Sequence, residues 1–161
     1  MTQLLLLVLS WLGVFAGPSQ PAEVTVFLAC DCPISQKYVP LLNSLYTANK
    51  DFKWSFVIPG KVSKSDISTF QKEFDVRFPL TTDRKGNRVK QLHAVTTPQV
   101  IIVKDRIVYS GAIDNWFYEL GKYRHEATEH YLVDALEAIR KGNDPVVKET
   151  EAIGCPIAIS H

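Results

Sequence analysis

Cys30, Cys32 and Cys155 are the three cysteines of the chain, and two of them share the run Ala29-Cys30-Asp31-Cys32-Pro33-Ile34-Ser35. Ahead of that run lies Val24-Thr25-Val26-Phe27-Leu28, a short β-rich segment, and behind it the apolar residues recur at helical spacing. Pro33 suits the first turn of a helix, where its missing N–H would have had no partner, so Cys32 falls at or near the N-cap. There the unpaired backbone N–H groups and the positive end of the helix dipole favour thiolate over thiol. The thiolate is the form that attacks disulfides, peroxides and metals. Asp31, next in the chain, opposes that ionisation. Three thiols leave one over once a disulfide forms, which in a secreted chain points to reactivity or to an intermolecular bond.

The elements that position these thiols follow from periodicity. The strand over residues 24–28 precedes a helix marked by Tyr38, Leu41, Leu42, Leu45 and Tyr46, with Pro40 expected to interrupt and bend it near Tyr38. Residues 53–58 predict a second strand, stopped by Pro59-Gly60. Ser63-Lys64-Ser65-Asp66 resembles a capping box, and Ile67, Phe70 and Phe74 line the helix face that follows it. A polar turn, Asp83 to Asn87, leads to a short helical stretch with Val89 and Leu92. Residues 99–103 and 107–109, separated by Lys104-Asp105-Arg106, have the spacing of a hairpin. Tyr131, Leu132, Ala135, Leu136 and Ile139 predict a last helix, closed by Lys141-Gly142. This order predicts an α/β fold, a central mixed β-sheet flanked by helices.

The chain has 161 residues, a net charge of +1 and 46% apolar residues, which suits one globular domain with an appendage. No basic excess points to nucleic acid or to an anionic membrane surface. The appendage is the N-terminus: residues 4–15 are almost wholly apolar, and small residues surround Ala16. This pattern predicts a signal peptide over 1–16 and a linker over 17–23, with the globular domain at 24–142 and a tail carrying Cys155 at 143–161. The mature chain is expected to be exported, periplasmic or secreted, without a membrane span, and an oxidising compartment lets its disulfides persist.

Other clusters carry less. His125-Glu126-Ala127-Thr128-Glu129-His130 is similar to a zinc-peptidase helix, but five residues rotate a helix about 140° past a full turn, so the histidines share no face. A solvated polar helix start is the expected reading. Asp114, Asn115, Trp116 and Phe117 read as a turn whose aromatic residues cap the core. Cys30 and Cys32 together with Cys155 or a histidine form a soft-ligand set that suits copper(I) or zinc, with His93 placed best for the remaining position.

The element order, the cysteine at the first strand-to-helix junction and Thr96-Thr97-Pro98 before the hairpin resemble the thioredoxin fold. A closer resemblance is to exported bacterial redoxins related to the alkyl hydroperoxide reductase and thiol-specific antioxidant superfamily. It rests on Asp31-Cys32-Pro33, Thr97-Pro98-Gln99-Val100, residues 109–114, the final helix and Gly154-Cys155-Pro156-Ile157. The resemblance implies a cis peptide bond before Pro98, facing the reactive cysteine, with Thr97 and Pro98 holding an extended substrate segment. It also implies a thiol-disulfide oxidoreductase that uses no cofactor, works on protein thiols and disulfides and draws on an electron donor. The chain departs from its relatives in two ways. Ser35 stands where a Cys-x-x-Cys motif has its second thiol, and Thr25 and Ala29 stand where a peroxidase has its Pro and Thr. The thiol that resolves Cys32 is therefore either Cys30, through a small strained ring, or Cys155, carried on a tail with few helix or strand signals. A peroxide reductase, a copper(I) carrier using Cys30 and Cys32, and a non-catalytic binding module are the alternative functions.

Overall fold

The computed structural model describes residues 21–158. The signal peptide expected over 1–16 and most of the linker expected over 17–23 lie outside the described residues. In chain order the elements are β1 (Glu23–Phe27), α1 (Pro33–Ala48), β2 (Lys53–Pro59), α2 (Lys64–Glu73), β3 (Leu80–Asp83), α3 (Asn87–Leu92) and β4 (Thr96–Thr97). They continue with β5 (Gln99–Val103), β6 (Ile107–Gly111), β7 (Phe117–Glu119), β8 (Lys122–Tyr123), α4 (Tyr131–Arg140) and β9 (Cys155–Pro156).

Five strands form the central sheet in the order β3-β2-β1-β5-β6. β1, β2 and β3 run parallel, so each connection between them needs a crossover, which α1 and α2 supply. β5 runs antiparallel to both β1 and β6, and the hairpin predicted from Lys104-Asp105-Arg106 closes that edge. The strand alternation divides the core. Val24, Val26 and Leu28 face Ile34, Tyr38 and Leu42 of α1 and Leu132 and Leu136 of α4. Phe27, Val57 and Ile101 turn the other way, toward Val89 and Leu92 of α3. A βαβ unit, an antiparallel hairpin and a closing helix make the thioredoxin-like α/β fold, and the Thr97–Pro98 peptide bond is cis.

Several elements differ from expectation. α1 runs through Pro40 as one helix, because the proline lies on its exposed face, where water can serve a carbonyl that lost its partner. The segment with His125 and His130 is an exposed loop, with His130 at the N-cap of α4. β3 and the two-stranded pairs β7–β8 and β4–β9 had no periodic signal. α2 begins as its sequence predicts, with Ser63 Oγ accepting a 3.1 Å hydrogen bond from the Asp66 N–H.

The segment after α4 is pinned to the domain. The Ser110 N–H donates to Lys148 O at 3.0 Å, and the Thr150 N–H donates to Ser110 O at 3.1 Å. Thr150 Oγ1 accepts from the Ala112 N–H at 2.9 Å. Gly111 is required at this crossing, since a Cβ there would lie 2.4 Å from Thr150 O. β9 then pairs antiparallel with β4, matching Thr96 to Pro156 and Thr97 to Cys155. No helix among the described residues is long and apolar enough to cross a membrane.

Candidate active site

Cys32 is the N-cap of α1, with extended backbone (φ −86°, ψ 113°) and Pro33 directly after it, as the junction predicts. β1, the central strand of the sheet, delivers the chain to this point, and the first turn of α1 contains no acidic residue to oppose an anion there. The side chain is only 1% exposed, but it is not surrounded by hydrocarbon alone. Its sulfur lies 3.2 Å from Thr97 O and 2.6 Å from Cys155 Sγ. The paired strands β4 and β9 therefore cover it.

Cys155 is held there through its backbone. Its carbonyl accepts from Thr96 Oγ1 at 3.1 Å and from Thr97 Oγ1 at 3.3 Å, and the Ile157 N–H donates to Val95 O at 3.0 Å. Gly154 makes the approach possible, because a Cβ on it would fall 2.1 Å from Thr97 O. The main-chain position that the resemblance reserves for an extended substrate, beside Thr97 and Pro98, is filled by the chain's own Cys155-Pro156.

The three thiols ionise differently. Burial pushes Cys32 up, but the Cys155 thiol, the Ser35 amide and hydroxyl and the Cys155 amide together outweigh it, leaving Cys32 below an ordinary cysteine. Thr97 O favours the protonated form, since it can only accept from the thiol. Cys155 is pushed up by burial, then by hydrogen bonding and charge at Cys32, and further by Asp31. Cys30 is pushed up by burial, then by Asp31 and Asp66, partly offset by its own backbone amide. The influence of Asp31 thus falls on Cys30 and Cys155, whereas the sequence places it on Cys32.

Ser35 has a role that counting thiols misses. It is fully buried, its Oγ accepts from the Ala29 N–H at 3.2 Å, and its amide and hydroxyl face the Cys32 sulfur. Its place three residues after an N-cap is the signal that could have shown this. Asp114 is buried too. Its carboxylate accepts from the Tyr38 hydroxyl and, at 2.9 Å, from the Trp116 N–H, while Tyr38 packs edge-on against Trp116. The turn after β6 is thereby fastened to α1, more firmly than an aromatic cap alone would fasten it.

Cys30 stays on the partly exposed rim, its carbonyl accepting from Gln36 Nε2 at 2.7 Å. His93 caps α3 in a left-handed conformation (φ 57°) and lines a hollow shared with Thr96 and Gln99, not with Cys30 or Cys155. Among the described residues, no three His, Cys, Asp or Glu side chains gather as a set for a metal ion.

No family model and no curated protein matches the chain. Among solved structures, a hypothetical protein of Sinorhizobium meliloti is 22% identical, with a TM-score of 0.71 over 87% of this chain and 80% of its own. An uncharacterized conserved protein of Geobacillus kaustophilus is also 22% identical, with a TM-score of 0.65 over 88% and 79%. The exposed lipoprotein thioredoxin of Streptococcus pneumoniae overlaps 56% of the chain and 73% of its own, at 18% identity and a TM-score of 0.49. The first two similarities show a shared fold.

Proposed function

We propose that the chain is an exported thiol-disulfide oxidoreductase of the redoxin type, with Cys32 and Cys155 as its redox couple. The approach of the two sulfurs to 2.6 Å, at a helix start and over Thr97 O, is the observation that carries this reading. In the reduced chain the Cys32 thiolate attacks one sulfur of a partner disulfide, forming a mixed disulfide and releasing the first partner thiolate. Cys155 then attacks the Cys32 sulfur and gives up its proton, closing the Cys32–Cys155 bond and releasing the second partner thiolate. Two electrons pass from the cysteine pair to the partner. For a partner to reach Cys32, β9 must leave Thr97, and the partner's extended backbone takes its place beside Thr97 and Pro98.

The residues around the sulfur favour exchange over peroxide reduction. Ala29, three residues before Cys32, has no hydroxyl to offer a peroxide. Export agrees with the apolar N-terminal segment and with a function that depends on a persistent disulfide.

Reaction of the reduced chain with excess bis(2-hydroxyethyl) disulfide, followed by mass analysis, tests this reading. The native chain should retain no mercaptoethanol on Cys32 or Cys155 and gain a disulfide between them, and Cys155→Ser should retain the adduct on Cys32. A native chain that keeps a stable adduct on Cys32, or a Cys32 that reacts no faster than Cys30, contradicts it.

A further inference from the structure

If Cys32 and Cys155 form the couple, as proposed above, the oxidised chain must be reduced again by an outside thiol, and that thiol has to reach one of the two sulfurs. Cys32 lies beneath β9, the Thr97 carbonyl and the first turn of α1, and is 1% exposed. Cys155 is partly exposed. Two hollows open beside the pair, and Cys155 lines both while Cys32 lines neither. One, of about 490 Å³, runs between Cys30, Lys61, Asp66 and Thr97. The other, of about 240 Å³, is walled by Pro33, Ile34, Phe117, Leu120 and Tyr123, with Lys37 as its charged member. Leu120 and Tyr123 remain 61% and 52% exposed, although they are among the larger apolar side chains of the β7–β8 hairpin.

We infer that the electron donor of this protein is a dithiol that attacks Cys155, with the donor's apolar flank lying in the hollow between α1 and the β7–β8 hairpin. The donor thiolate attacks Cys155 Sγ, the Cys32–Cys155 bond breaks, and Cys32 leaves as a thiolate. The donor's second thiol, deprotonated as it reacts, then attacks the donor sulfur of the mixed disulfide. The donor disulfide forms, and Cys155 departs and takes up a proton. One donor dithiol is oxidised and one protein disulfide is reduced. Exchange is faster when the departing sulfur is the more acidic one, and Cys32, placed at the helix start and facing Ser35, meets that condition. Attack at Cys155 also leaves β9 seated on Thr97. Electrons thus enter at Cys155 and leave from Cys32, and only the second event requires the strand to move.

The test uses the oxidised chain, glutathione as a monothiol probe and iodoacetamide to cap each thiol as it is released. Mass analysis of the chain before glutathione is added shows whether the Cys32–Cys155 bond is present. If it is absent, the proposed couple fails and this inference fails with it. If it is present, fragment sequencing locates glutathione and the cap. The expected result is glutathione on Cys155 and the cap on Cys32 in about tenfold excess over the reverse pattern. Leu120→Asp should leave that ratio unchanged and slow the reaction of a peptide dithiol with apolar flanking residues more than that of glutathione. Glutathione mainly on Cys32, or an even distribution, overturns the inference while the couple itself stands.

Discussion

At the scale of single residues, the candidate site is marked by an asymmetry between two sulfurs 2.6 Å apart. Cys32 is pulled toward its anion by Cys155 and Ser35 in spite of burial, whereas Cys155 is held as a thiol by burial and by the neighbouring charge. In the reduced chain, the pH curve of Cys32 alkylation should therefore have a lower midpoint than those of Cys30 and Cys155. Ser35→Ala removes the hydroxyl that faces the sulfur, so the Cys32 midpoint should rise, and an unchanged midpoint would remove Ser35 from the account. Cys155→Ala should raise the midpoint as well, and it should also speed alkylation above that midpoint because the thiol lying against the Cys32 sulfur is gone. The two effects separate ionisation from access, which a single rate at neutral pH would mix.

At the scale of elements, β9 matters more than its two residues suggest. Gly154→Ala places a Cβ against Thr97 O, a backbone atom that cannot swing aside, so β9 must lift. Intramolecular closure of the Cys32–Cys155 bond should slow by about tenfold or more, as expected when reacting groups lose their alignment. Quenched alkylation during reoxidation measures this, and closure at the native rate would show that β9 does not position Cys155. Leu42→Ala, in the fully buried face of α1, should cost about 2–5 kcal/mol in denaturant unfolding, because the void between α1 and the sheet cannot collapse completely. The elements that periodicity revealed, β1, α1, β2, α2, α3, the β5–β6 hairpin and α4, are those whose residues carry their own pattern of burial. The Cys32 N-cap was readable for the same local reason, from Pro33. β9 was not, because Cys155 and Pro156 become a strand only by meeting Thr96 and Thr97 across the fold. Without that pairing, the sequence favours Cys155 over Cys30 as the thiol that resolves Cys32 only narrowly. β3 was hidden by its composition, since Leu80-Thr81-Thr82-Asp83 is an edge strand with little apolar alternation. The bond between Tyr38 and Asp114 is likewise a long-range meeting of two residues that look unremarkable locally.

At the scale of the whole molecule, the fold keeps several weak acids neutral, and this shapes its response to alkali. Burial raises Tyr38 and Tyr109 above an ordinary tyrosine, Tyr38 further through Asp114, and Cys155 and Cys30 are raised above an ordinary cysteine. An acid whose folded value is raised gives its full stabilisation below its unfolded value and loses it as pH climbs toward the folded one. Cys32 is depressed and acts in the opposite sense: its contribution is present above the ordinary cysteine value and lost as pH falls through its own. The raised groups outnumber it, so the reduced chain should lose stability from about pH 8.5, where cysteines begin to ionise, and more steeply above about pH 10. Urea midpoints taken from neutral to alkaline pH should show the decline, and Tyr38→Phe should flatten its upper part. The same fold lays the segment carrying Cys155 back over the Cys32 sulfur, so that in the proposed cycle this segment and the partner compete for the main chain of Thr97. The measurement that bears most directly on this arrangement is a disulfide map of the oxidised chain. A bond between Cys32 and Cys155, with Cys30 free to alkylate, is the predicted result. A bond between Cys30 and Cys32, with Cys155 free, would contradict it.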